Sequence, residues 1–167
     1  MVSPNDDLME TMRHRMKQKP YSWDKTKRLI VRDSVAEVCR YRIWNLFALH
    51  VRTNHLHALV GAPSPPEPVM NDFKRYTSRN LNLAGVDPTG RRRWAGHGST
   101  KYLWTRERFL EALNYVLYQQ GPWMEVLVDS ALIKREFGID LPPDMRGIQK
   151  WLEEIQRSRD RTGRGRW

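Results

Sequence analysis

The spacing of apolar residues along the chain predicts mainly helices. Apolar positions that recur every three or four residues lie on one face of a helix, with polar residues on the other face. Asp24 and Thr105 stand at the start of two such stretches and have the short polar side chains that cap helix N-termini. The pattern covers six stretches: residues 1–19, 23–40, 69–83, 105–120, 132–137 and 145–155.

A period of two predicts a β-hairpin in the first half of the chain. Residues 43–51 are apolar on both alternating faces, which is typical of a strand covered on both sides. The turn-prone residues 52–54 follow, and a second apolar run then continues to Val60. A third segment, residues 124–128, also has the composition of a strand.

Two histidines stand at the start of the second hairpin strand. In a strand, His55 and His57 point to one face, whereas Leu56, Ala58 and Val60 point to the other. Two neutral imidazoles that converge in this way can bind a divalent metal. The alternative is a half-buried strand whose histidines only hydrogen-bond to their neighbours.

The helix predicted over residues 105–120 carries candidate chemistry on its polar face. At 100° per residue, Arg108, Tyr115 and Gln119 cluster opposite the apolar stripe, and Tyr115 and Gln119 are one turn apart. A phenolic hydroxyl can act as a nucleophile, and an amide oxygen can bind a metal ion. The alternative is a solvent-facing surface that happens to carry these residues.

The charge of the chain favours a polyanionic partner. The 167 residues include 29 Lys and Arg against 19 Asp and Glu, for a net charge of +10. Nucleic acid is the leading candidate, ahead of an acidic membrane surface. No apolar run approaches the roughly 18 residues that span a bilayer, so a soluble intracellular protein is expected. The single cysteine, Cys39, excludes an intrachain disulfide and is expected to be a small buried hydrophobic residue.

Basic residues interleaved with aromatic ones form the candidate DNA-binding set. This arrangement can hold phosphates and stack exposed bases, as Tyr102 and Trp104 could do, although about half of the aromatic side chains are expected to be buried. The candidate cations are Lys74, Arg75, Arg79, Arg91, Arg92, Arg93, Lys101, Arg106 and Arg108.

Two segments together resemble a known family. The hairpin segment Val51-Arg52-Thr53-Asn54-His55-Leu56-His57 and the helix segment Tyr115-Val116-Leu117-Tyr118-Gln119-Gln120-Gly121 resemble the REP-associated tyrosine transposases and their insertion-sequence relatives. These are HUH single-strand DNA nucleases, in which U is a hydrophobic residue. The similarity extends from about Met12 to Gly121.

The resemblance implies an activity and a set of site residues. His55, His57 and Gln119 would bind Mg²⁺ or Mn²⁺, with Gln120 as a less well placed substitute for Gln119. Tyr115, rather than Tyr118, would attack single-stranded DNA and form a 5′-phosphotyrosine link. The DNA would carry hairpin structure, the chain could act as a monomer or a homodimer, and the protein would be cytoplasmic, bacterial and nucleoid-associated.

The resemblance also implies a fold class and a domain organisation. The fold would be α+β and ferredoxin-like, with helices on one face of an antiparallel sheet and the histidines on a central strand. Residues 1–123 would form the catalytic domain and residues 124–167 an extension that ends in a flexible cationic arm from residue 157. The family's first strand is missing from residues 1–20, and residues 124–128 could replace it.

Two alternatives to the transposase-like enzyme remain open from the sequence. One is a nucleic-acid-binding protein that keeps the fold and the basic surface but has lost cleavage. The other is a metal hydrolase in which water attacks and no covalent link forms.

Overall fold

The computed structural model describes residues 20–88 and 90–161, apart from the side chains of residues 159 and 160. The helix expected over residues 1–19 lies outside these ranges. Within them the chain forms an α+β fold of five helices and three strands. These elements are α1 (Lys25–Arg42), β1 (Asn45–Val51), β2 (Leu56–Gly61), α2 (Pro66–Leu83), α3 (Arg106–Leu117), β3 (Glu125–Val128), α4 (Ser130–Phe137) and α5 (Met145–Arg161).

The three strands form one antiparallel sheet with the order β2-β1-β3. Strand β1 pairs with β2 as the predicted hairpin, with His50 opposite His57, and a bulge lies between Leu46 and Ala48. On its other side β1 pairs with β3, where His50 is opposite Val126. Residues 125–128 therefore do join the sheet, as their composition predicts.

Helices cover both faces of this sheet. Ala48 and Leu59 belong to a buried cluster with residues of α3, α4 and α5. Leu49 and Val51, which point the opposite way along β1, belong to a second cluster with residues of α1 and α2. The strand predicted to be covered on both sides is therefore confirmed.

Two expectations drawn from the resemblance differ from this arrangement. The sheet was expected to have helices on one face, but its central strand is apolar on both faces and each face is covered by its own helices. The histidines were expected on a central strand, but in the described sheet β1 is central and β2, which carries His57, is at an edge. The residues after position 124 supply β3 and part of the core beside α3.

Two helices begin at the N-terminal caps that the sequence predicts. The side chain of Asp24 accepts a hydrogen bond from the backbone of Lys27, and that of Thr105 accepts one from the backbone of Arg108. Helix α3, however, ends at Leu117 instead of residue 120. The prediction of a flexible arm from Arg157 is wrong for residues 157–161, which continue α5, and residues 162–167 lie outside the described ranges.

The described residues include no helix that is both long and apolar enough to cross a membrane. Cys39 is buried in α1, as expected, and burial raises the pKa of its thiol to about 12.

Candidate active site

The fold brings together the histidine pair and the tyrosine, which are about 60 residues apart in sequence. The ring centroids of His55 and His57 are 4.9 Å apart, although His55 lies in the turn just before β2. The ring of Tyr115, from α3, meets that of His57 edge to face at a centroid distance of 5.1 Å. Tyr115 is still 48% exposed, so its side chain remains accessible to a ligand.

The environment of His57 keeps its imidazole neutral. Burial lowers the pKa of His57 to about 4, His55 contributes in the same direction, and an interaction with Gln120 opposes the shift. Its Nε2 atom is buried without a hydrogen-bond partner in the described part of the chain. A neutral ring with an unsatisfied buried nitrogen has the chemistry of a metal ligand.

The other histidine of the pair, His55, is oriented by its neighbour Asn54 in the turn. The Nδ1 atom of His55 lies 2.7 Å from the side-chain oxygen of Asn54. Because an amide oxygen only accepts hydrogen bonds, Nδ1 is the donor, and in the neutral ring this leaves the lone pair on Nε2. Metal-binding histidines are commonly oriented in this way by a bond from the other ring nitrogen.

The carboxyl end of α3, which carries Tyr115, is held by side chains. The last four carbonyl groups of a helix lack partners within the helix. Here the carbonyl of Tyr115 accepts from Gln120 Nε2, that of Val116 from His50 Nδ1, and that of Leu117 from Trp123 Nε1. The remaining carbonyl, at position 114, accepts from the backbone just after the helix. These bonds satisfy the carbonyl groups that the end of α3 at Leu117 leaves without helical partners.

His50 is a site residue that the sequence analysis missed. It is completely buried, donates from Nδ1 to the Val116 carbonyl at 3.0 Å and accepts from the Met124 backbone at Nε2, at 3.3 Å. Burial lowers the pKa of His50, which matches these two roles of a neutral ring. The available signal was a polar residue within a strand that is otherwise apolar on both faces.

The two glutamines after α3 have different surroundings. Gln119 is exposed and lies beyond the end of α3, so it does not occupy the helical position one turn after Tyr115 that the sequence predicts. Gln120 donates to the Tyr115 carbonyl and interacts with His57. The structure thus brings Gln120 to His57, and the metal-binding role of Gln119 stays a prediction.

The side-chain atoms at the site that could bind a divalent ion are histidine nitrogens and glutamine amide oxygens. Among the described residues, no three His, Cys, Asp or Glu side chains are grouped so that they could hold a metal. His55 and His57 would therefore need a glutamine oxygen, water or substrate oxygen to complete the coordination. The buried and unsatisfied Nε2 of His57 is the observation that favours such an ion.

Several candidate DNA-binding cations interact within the protein. Arg75 pairs with Asp72, Arg79 with Glu37, and Arg108 with Glu111. Further contacts join Lys74 to the backbone of Ala95, Arg91 to the ring of Tyr21, Arg92 to the backbone of Trp94, and Arg106 to the backbone of Phe137.

Arg93 has a structural environment that differs from those of its neighbours. Its side chain is 4% exposed and forms a 2.8 Å ion pair with Asp87, which also pairs with Lys27 and accepts from Tyr21. Burial acts to raise the pKa of Asp87, but its hydrogen bonds to Tyr21, Arg93 and Lys27 outweigh this effect and lower it. Arg93 thus anchors the loop after α2, and its predicted contact with DNA is not supported by its burial.

The aromatic residues of the basic region divide between core and surface. Trp94 packs against Trp23 and donates to Ser78, whereas Tyr102 and Trp104 are 55% and 81% exposed. The rings of Tyr102 and Trp104 stack on each other, with centroids 5.0 Å apart and planes 10° from parallel.

No family model matches the chain, and no curated protein or solved structure is significantly similar to it.

Proposed function

We propose that this protein is a metal-dependent nuclease and strand transferase for single-stranded DNA, with Tyr115 as the nucleophile. The observation that carries the proposal is the contact of the Tyr115 ring with His57, which in turn contacts His55. A histidine pair and a tyrosine from distant parts of the chain thus lie side by side, and the tyrosine is half exposed. The corresponding fold would be a ferredoxin-like one modified by β3, α4 and α5.

The residues have distinct roles in the proposed reaction. His55, His57 and one glutamine oxygen would hold a Mg²⁺ or Mn²⁺ ion, which would polarise the scissile phosphate. Gln120 is the better supported third ligand because its side chain interacts with His57. Tyr115 is held in place by the hydrogen bonds that fix the end of α3, and its exposed ring lets a phosphate approach.

The proposed cleavage conserves the phosphodiester. The Tyr115 hydroxyl oxygen attacks phosphorus in line, the bond to the 3′-oxygen breaks, and a 5′-phosphotyrosine forms. The phenol loses one proton, and the departing 3′-oxygen gains one to become a hydroxyl. A second DNA 3′-hydroxyl can then attack the phosphotyrosine, release Tyr115 and complete strand transfer.

The metal requirement is the experiment that tests this proposal. A single-stranded oligonucleotide from the flanks of the protein's own gene should be cut only with Mg²⁺ or Mn²⁺. The double variant with His55→Ala and His57→Ala should lose cleavage but keep most DNA binding, because binding depends on many phosphate contacts. Unchanged cleavage by the double variant would exclude the proposed metal site.

A second candidate function is DNA binding without cleavage. It is favoured by the lack, among the residues that the structure describes, of a third His, Cys, Asp or Glu beside the histidine pair. A protein that binds single-stranded DNA but cuts no strand, even with Mn²⁺, would have this function.

A further inference from the structure

We propose that Tyr102 and Trp104 form a base-stacking subsite for an unpaired nucleobase of single-stranded DNA. The two rings are nearly parallel and in contact, and Trp104 is 81% exposed. Large aromatic surfaces are usually buried, as that of Trp23 is in this protein. A stacked aromatic pair at the surface presents a flat apolar face, which has the shape of a nucleobase.

The charges around the pair suit a nucleic acid more than an apolar partner. Lys101 precedes the pair and is exposed, and Arg106, also exposed, follows it at the start of α3. Arg106 is held in place by a hydrogen bond from its Nε atom to the carbonyl of Phe137. Cations on both sides of a stacking surface can neutralise the phosphates that flank a stacked base.

The subsite lies at the opposite end of α3 from the proposed nucleophile. Trp104 comes just before Thr105, which caps α3, whereas Tyr115 lies in the last turn of the same helix. The helix axis rises about 14 Å from Arg106 to Tyr115. Arg108, which is seven residues before Tyr115, lies on the same side of the helix as Tyr115. A strand that has its phosphate at Tyr115 could therefore follow this helix face to Trp104.

This inference rests on the proposed function for the identity of the ligand, but its test does not require cleavage. The Tyr115→Phe protein would be used without a metal ion, and its affinity for fluorescein-labelled single-stranded DNA would be measured by anisotropy. In this background Trp104→Ala should weaken binding by about 5- to 100-fold. Trp104→Phe, which keeps an aromatic face, should restore most of the affinity.

Tyr41→Ala provides a matched control. Tyr41 is 69% exposed and contacts another aromatic ring, that of Tyr76, but it lies at the end of α1. Its loss should leave the affinity for DNA unchanged. Far-UV circular dichroism would test that each variant keeps its helices. We expect that they do, because the replaced side chains of Trp104 and Tyr41 are mostly exposed.

A scan with abasic nucleotides separates stacking from charge. Bases are removed from the oligonucleotide one at a time. For the protein that keeps Trp104, removal of the base at one particular position should weaken binding. For the Trp104→Ala protein, removal of that same base should not change the affinity. An equal loss at every position, or an equal effect of Trp104→Ala on blunt duplex DNA, would overturn the subsite.

Further results would also contradict the inference. No binding of any single strand by the parent protein would overturn it, and so would tighter Trp104-dependent binding to an RNA of the same sequence. If Trp104→Ala converted a dimer to a monomer in sedimentation experiments, the pair would be an interface between two copies of the chain. If the parent protein cleaves no DNA but the abasic scan still shows one Trp104-dependent position, only the proposed function would be refuted.

Discussion

Replacement of His50 by leucine should destabilise the protein without unfolding it. Leucine is similar in size but can neither donate to the Val116 carbonyl nor accept from the Met124 backbone. A buried polar group left without a partner costs roughly 1–3 kcal/mol. With two such groups, and with some gain from the more apolar side chain, we expect a loss of about 2–4 kcal/mol in the free energy of unfolding. This is less than the roughly 5–15 kcal/mol by which domains are usually stable.

The assay is urea denaturation followed by circular dichroism. For a urea dependence of about 2 kcal/mol per molar, in the middle of the usual range, the midpoint should fall by about 1–2 M. His50→Asn places an amide nitrogen near the position of Nδ1 and should therefore recover part of the loss. His97→Leu, in an exposed loop, is the control and should change the stability by less than about 0.5 kcal/mol. Equal midpoints for His50→Leu and the parent protein would refute the role assigned to His50.

Three further predictions address the site and its partner. Burial holds the folded-state pKa of His57 at about 4, below the ordinary value of 6.5, so NMR of the metal-free protein should show a neutral ring at pH 5. As the pH drops from about 6.5 towards 4, the unfolded chain binds the proton before the folded protein does, so the free energy of unfolding should fall. A His57 signal that titrates near 6.5 in the folded protein would contradict this prediction. Gln120→Ala should weaken Mn²⁺ binding measured by calorimetry more than Gln119→Ala does, because Gln120 interacts with His57; the reverse order would support the ligand set implied by the resemblance. With a net charge of +10, the protein should bind single-stranded DNA with an affinity that falls steeply as salt increases, and equal affinity for a blunt duplex of the same length would argue against a single-strand-specific surface.

The local elements of the fold could be predicted from the sequence because their signals are local. Helical periodicity and the caps at Asp24 and Thr105 define the starts of α1 and α3. Alternation of side chains predicts that His55 and His57 share a face, and their rings are in contact. Tyr115 was placed opposite the apolar stripe of its helix, and it is half exposed while Leu113 and Val116 are buried.

The remaining features depend on contacts between distant residues. The carbonyl groups at the end of α3 accept hydrogen bonds from Trp123, just beyond the helix, and from the distant His50, and no pattern within the helix indicates these bonds. In sequence Arg93 cannot be distinguished from its two basic neighbours, but in the structure it forms a buried ion pair with the carboxylate of Asp87. One face of the sheet is covered by α4 and α5 together with α3, and the packing of these later helices onto the sheet is not visible in the local sequence pattern.

The covalent adduct formed by Tyr115 is the most direct test of the proposed function. Phenylalanine keeps the ring that packs on His57 but removes the attacking oxygen, so Tyr115→Phe should fold normally. Tyr118, at the end of α3, is the matched control, and Tyr118→Phe should still form the adduct.

The measurement is the mobility of the denatured protein after incubation with labelled single-stranded DNA and Mn²⁺. The parent protein and Tyr118→Phe should carry the labelled DNA, and Tyr115→Phe should carry none. If Tyr115→Phe cuts the strand at the parent rate, water is the nucleophile and the proposed mechanism is wrong.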